Sequence, residues 1–331
     1  MSLLRVLPLL AFCLAAASAE AGPRLDAVKA RGMLNCGVAA AEPGMSSVGA
    51  DGDYRGFEAD LCRAVAAAIL GEPKVAFHPV TTLAAFLEDE EVDIVIRGLT
   101  RSFRREAGSD VRFGPIVFHD GQSFLTRAGS GLRTPADLSG KSICVSSDVY
   151  ADFLPPLLRH FEEQNFVLSV VGSRTRAESE ARFFASECEA LTADTSELAS
   201  ALIAHGNAAD YTILAEQITK EPLAPLLRRG DEEFFAAVSW AVYALIDAEE
   251  LGLDGANADA MRPSTRPEVA AFFAPPPPAS GLAPDWSHAV LTAVGNYGEI
   301  FDRNLGAPAG LARGPNRLWR DGGLLYAPPI R

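Results

Sequence analysis

The strongest chemical signal in this chain is a group of arginines just past a short apolar strand. Residues 93–106 read DIVIRGLTRSFRRE. Asp93 to Ile96 predicts a buried strand, followed by a polar turn and a helix start carrying Arg104, Arg105 and Glu106. Such a turn can present a fixed anion site. Backbone N–H groups and the hydroxyls of Thr100 and Ser102 supply donors, and a guanidinium supplies a two-pronged fork that fits a carboxylate. Taken alone, the residues also fit an ordinary strand-to-helix connection with solvated arginines.

The other chemistry-bearing residues narrow the classes. The five histidines are scattered, and no Cys-x-x-Cys pair or His cluster has zinc-ligand spacing. No Ser/His or Cys/His arrangement offers a nucleophile. We therefore expect no metal, no cofactor and no catalytic residue. The chain has 331 residues, 48% hydrophobic and 22% charged, which suits a globular protein of about two domains. A formal net charge of −14 argues against nucleic acid or an anionic membrane as partner, because both would repel it.

Residues 1–19 read as a cleavable export signal. Met1 to Arg5 is a short positive region, Leu7 to Ala17 an apolar run too short to span a bilayer, and Ala17-Ser18-Ala19 a small-residue cleavage site. The mature protein is expected to begin near Glu20 and to be soluble in the periplasm. Removing Cys13 leaves Cys36, Cys62, Cys144 and Cys188, which allow three pairings, and an oxidising compartment favours disulfides. Cys36 ends a predicted strand and Cys62 lies on the next helix, while Cys144 and Cys188 both fall on candidate strands. We expect Cys36–Cys62 and Cys144–Cys188, with free buried thiols as the alternative.

The elements that must position these groups alternate. A short charged helix over residues 24–31 leads to the strand Leu34 to Val38. After a Gly/Pro-rich loop, residues 57–70 place Leu61, Val65, Ala68 and Ile69 at helical spacing, ended by Gly71 and Pro73. Strand, helix and strand follow at 74–80, 83–88 and 93–96, so the order argues for a mostly parallel sheet covered by helices. A second such series runs from the strand KSICV through helices near 153–164, 175–184 and 195–205 to a strand at 210–213. The chain then returns to a long helix, Glu232 to Glu249, and a stiff PPPPAS loop at 275–280. Two α/β units with the chain passing out and back suggest two lobes, and ligands favour the cleft between such lobes.

Long blocks carry a family resemblance. LDAVKARGMLNCGV, GFEADLCRAVAAAILG, TKEPLAPLLRRGDEEFFAAVSWAVYALIDAEELG, AVGNYGEIFDRN and ARGPNRLWRDGGLLYAPPIR resemble the periplasmic solute-binding proteins of general and polar L-amino acid ABC transporters. The similarity covers essentially the whole mature chain. It implies an α/β clamshell of the type II periplasmic-binding-protein fold. Residues 20–125 with 219–331 would form one lobe and 126–218 the other, hinged through strands at about 122–127 and 215–222. It also implies a monomer that holds one small zwitterionic solute and delivers it to an inner-membrane permease.

Carried over residue by residue, Arg105 matches the fork for the ligand's α-carboxylate, Thr100 a hydroxyl donor and Gly98 a backbone contact. Asp194 matches the partner of the α-ammonium. Arg97 matches a further arginine, which could equally pair with Glu106 or Asp93. Two places depart from the family. Where it has a Gly-Thr-Thr stretch at a helix N-terminus, this chain has Ser147-Asp148-Val149-Tyr150. There an aspartate would repel a carboxylate by about 4 kcal/mol at about 4 Å and an effective dielectric of about 20. Alternatively Pro155-Pro156 restart the helix later and leave Asp148 in a loop. Where the family has apolar or aromatic residues, this chain has Glu42 and Met45; Glu42 is either a solvated loop charge or one of several acids facing the cleft. With Asp148 and Asp194 it would then favour a basic ligand, with Arg101 as an offset. Besides a binding protein, the sequence admits a diverged paralogue with lost or altered binding, or a dehydratase-like enzyme on the same fold using Glu42 or Asp148 as general acid.

Overall fold

A computed structural model describes residues 22–146 and 150–331; the expected leader at 1–19 and the departing residues Ser147, Asp148 and Val149 lie outside the described residues. Two five-stranded sheets organise the chain. In the first, Leu34–Val38 lies parallel to Val75–Pro79 on one side and to Ile94–Val95 on the other. The sheet continues through Leu226–Arg228, antiparallel to both its neighbours, and ends at Val111–Phe113. The second sheet repeats the plan. Ser142–Ser146 is parallel to Ser169–Ser173 and to Ala190–Asp194, and Gln122–Arg127 runs antiparallel between Ala190–Asp194 and Tyr211–Ile213.

Each sheet is thus mostly parallel, as expected, with one strand of the five reversed. The antiparallel strand in each is the one that arrives from the other lobe, Leu226–Arg228 in the first and Gln122–Arg127 in the second. Between the sheets the chain crosses twice, as an antiparallel ladder of Phe118–Asp120 with Glu221–Leu223. We expected the first crossing at 122–127. Those residues instead pair on both sides within the second sheet and are almost wholly buried.

The helices bury the faces that the periodicity assigns to them. Phe57–Leu70 is apolar nearly all round, as a helix enclosed by neighbours must be. It packs against Trp286–Val294 and the long helix Glu232–Leu251, so the C-terminal segment completes the first lobe. Phe57, Phe118, Tyr297 and Phe301 form a chain of ring contacts beneath the crossing. The hydroxyl of buried Tyr297 donates to Val117 O at 2.9 Å. Both disulfides form as expected. Cys36–Cys62 ties the inner strand Leu34–Val38 of the first sheet to its covering helix, and Cys144–Cys188 closes a 44-residue segment of the second lobe. Helix Tyr150–Glu163 contains Pro155 and Pro156, so these prolines do not mark a later restart.

Candidate functional site

A cleft of about 210 Å³ lies where the two lobes and the crossing ladder meet. From the first lobe it takes Arg97 and Gly98, which follow the strand Ile94–Val95, and Glu58 from the first turn of Phe57–Leu70. Arg105 reaches it from the short helix Phe103–Ala107, whose N-terminus is capped by the Ser102 hydroxyl accepting from Arg105 N–H. Glu42 comes from the small sheet of Ala41–Glu42, Ser46–Val48 and Tyr54–Arg55, and Met45 from the turn between its first two strands. From the second lobe come Asp194 at the carboxyl end of its strand and Ser196 and Glu197 in the helix that follows. The ladder adds Asp120 and Leu223.

On the cationic side, Arg97, Gly98 and Arg105 line the cleft. The Arg105 guanidinium donates to Thr100 O at 2.8 Å, and Thr100 itself bridges to Leu223. Thr100 thus steadies the arginine through its backbone and is not part of the cleft lining. Arg97 pairs with neither Asp93 nor Glu106: Asp93 takes Arg24 and Arg31, and Glu106 takes Arg101. Arg101 is therefore no offset to the cleft acids. The buried Nε of Arg97 has no hydrogen-bond partner among the described residues, nor has the buried Oε2 of Glu58. Gly98, at φ +61°, sets its N–H on the Glu58 carboxyl. Burial pushes Glu58 up to about 8, against the pull of that N–H and of Arg97. At neutral pH this carboxyl mostly keeps its proton and can donate a hydrogen bond.

The acidic side is larger than expected. Asp120 accepts from the hydroxyl and N–H of Ser196 and from Gly121 N–H, joining the ladder to the helix Thr195–His205. Burial raises its pKa despite those donors. Glu197 is pushed up to about 7 by burial, opposed by Arg176. Arg176, on helix Arg176–Phe184 of the second lobe, forks across to Glu42 of the first, with Nη1–Oε1 at 3.0 Å and Nη2–Oε2 at 2.8 Å. Its Nε donates to Glu180 at 2.9 Å, and Glu197 lies 3.3 Å from Nη1. Burial alone would lower the Arg176 pKa; the carboxylates of Glu197, Glu42 and Glu180 outweigh it and raise it. Glu42 is thus neither a solvated loop charge nor a lone cleft acid, but one half of an ion pair between lobes. Asp148 and Val149 lie outside the described residues.

Sequence reasoning missed Glu58, Asp120, Ser196, Glu197 and Arg176. Glu58 carried one legible sign, an acid in the first turn of a mostly apolar helix, which Asp60 shares and which also fits simple dipole complementarity. A wider crevice of about 430 Å³ lies beside the proline loop, lined by Trp240, Trp286 and Pro275–Pro277. Its lining is mainly apolar.

Two α/β lobes, a two-stranded crossing and a polar cleft between them define a clamshell solute-binding protein. The chain belongs to the bacterial extracellular solute-binding proteins, family 3, which matches residues 34–252. It is 38% identical over 325 residues to the general L-amino acid-binding periplasmic protein AapJ of Rhizobium johnstonii, covering 95% of each chain. It is 39% identical over 324 residues to the glutamate/glutamine/aspartate/asparagine-binding protein BztA of Rhodobacter capsulatus, again covering 95% of each. Among solved structures it resembles an ABC transporter/periplasmic binding protein from Brucella ovis with glutathione bound. That match has a TM-score of 0.79 and 36% identity, and it covers 93% of this chain and 99% of the other.

Proposed function

We propose that this protein is the periplasmic receptor of an ABC importer, holding a free amino acid or a related small zwitterionic solute between its lobes without turning it over. The lobes part at the ladder Phe118–Asp120 with Glu221–Leu223, and a monomer presents the closed form to an inner-membrane permease. One observation carries the reading: Arg97 and Arg105 line the same cleft as Asp194 and Glu197. A carboxylate bound at the arginines and an ammonium bound at the acids are each recognised by charge-assisted hydrogen bonds. The named relatives, receptors for amino acids, point the same way. Turnover finds little support, since the acids with raised pKa sit among ion pairs and hydrogen bonds that a binding site equally needs.

The test is calorimetry of the mature protein with a panel of L-amino acids and glutathione. At least one zwitterion should bind at micromolar concentration or below. Arg105→Ala should weaken that ligand by about 100-fold, the usual cost of truncating one partner of a desolvated charge pair. Undiminished affinity in the variant would put the carboxylate elsewhere.

A further inference from the structure

Behind Glu42 and Glu197, which line the cleft, lies a charge arrangement that speaks to the ligand's side chain. Arg176 carries one positive charge and meets three carboxylates: Glu42 and Glu180 by hydrogen bonds to all three of its nitrogens, and Glu197 at 3.3 Å. Glu42 holds both terminal nitrogens at once, the geometry that a ligand carboxylate would itself seek. The Ser200 hydroxyl adds a longer contact to Glu42 at 3.4 Å. Meanwhile Glu197 Oε2 is buried without a hydrogen-bond partner among the described residues. Among the described residues, three carboxylates here share one guanidinium.

We infer that Glu42 sets the selectivity of the cleft: by occupying the Arg176 guanidinium, it makes the site favour amino acids with an uncharged or cationic side chain over those with a side-chain carboxylate. This rests on the amino-acid-binding reading above. A side-chain amide or ammonium brings donors that Glu197 and Glu42 can accept. A side-chain carboxylate brings more acceptors, meets like charge, and gains the guanidinium only by displacing Glu42 from the contact that joins the lobes. One of the positions involved is nearly isosteric to change. Glu42→Gln keeps the shape and removes the competing charge, leaving the Arg176 fork for the ligand.

Glutamate and glutamine, and aspartate and asparagine, differ at one side-chain group and are the probes. By calorimetry the unmodified protein should bind the amide of each pair more tightly. In Glu42→Gln the acid-to-amide affinity ratio should rise by roughly tenfold, the worth of a hydrogen bond to a charged group. The double variant Glu42→Gln/Arg176→Gln should lose that gain, since the released fork is gone. The inference is overturned if the unmodified protein prefers the acid, if Glu42→Gln weakens acid and amide alike, or if the double variant keeps the gain. It also fails, leaving the broader reading intact, if neither pair binds while another zwitterion of the panel does. If no zwitterion binds, the amino-acid reading fails with it.

Discussion

Glu58 shows what burial does to a single carboxyl in this cleft. Its side chain sits beneath Gly98 and beside Arg97, with desolvation holding its pKa near 8. In the unfolded chain the same group titrates at about 4.3. Between about pH 4.5 and 8 the folded protein therefore keeps a proton that the unfolded chain releases, and stability falls as pH rises through that window before levelling off. Asp120 and Glu197 are raised by burial as well, so the unmodified protein slopes the same way from several sources. Glu58→Gln isolates one of them. The variant should match the unmodified protein near pH 4.5 and exceed it progressively toward pH 8, by at most ~5 kcal/mol at 1.36 kcal/mol per unit. Denaturant midpoints across that range measure it, and two parallel curves would rule it out. That Arg105 and Asp194 reach the cleft was legible because each follows a readable strand and matches a family motif. Arg176 was not, because its defining partner Glu42 is 134 residues away and on the other lobe.

At the scale of elements, the sequence marked helices and strands well wherever a local signal existed. Gly71 ends Phe57–Leu70 in a left-handed conformation, and the Thr175 hydroxyl caps Arg176–Phe184 by accepting from Glu178 N–H. What it lacked was pairing direction. Nothing local in QSFLTR tells a crossing strand from a sheet strand; its place is set by neighbours at 190–194 and 211–213. The cysteines supplied long-range information of that kind, since a disulfide states a contact. Cys36–Cys62 spans 26 residues and Cys144–Cys188 spans 44, each joining elements of one lobe. In the chain-entropy view, closing loops of these lengths stabilises by ~3 to 4 kcal/mol, more for the longer one. Replacing either pair by serines should lower denaturant stability by about that much. A Cys36→Ser/Cys62→Ser variant with an unchanged midpoint would show that packing of the strand on its helix already fixes this contact.

The whole molecule adds what neither residues nor elements reveal, the fit of one lobe against the other. The clamshell itself came from the family resemblance and not from periodicity, which sees each lobe separately. Among the described residues, the contacts that span the gap include the Glu42–Arg176 pair, the short helix Ala307–Ala309 against Thr195–His205, and the loop at Gly44. Gly44 adopts φ +85°, and a Cβ there would fall 2.5 Å from Ile203 Cδ1 and 3.0 Å from Asn304 O. Ile203 belongs to the second lobe and Gly44 to the first, so closure brings backbone against side chain with no room for a methyl group. Gly44→Ala should act on two quantities that separate cleanly. The left-handed backbone costs about 1 kcal/mol of folding stability. Ile203 Cδ1 ends a flexible side chain and can turn aside; to the extent that the packing around it resists, the lobes are held slightly apart, which lowers the fraction of binding-competent protein and weakens every ligand by the same factor. A uniform loss of about tenfold, with no change in the acid-to-amide ratio, is expected by calorimetry, together with a larger radius of gyration in X-ray scattering of the ligand-saturated variant. If affinity fell for one ligand only, Gly44 would be shaping the cleft; a uniform fall with an expanded molecule would mean that it governs closure.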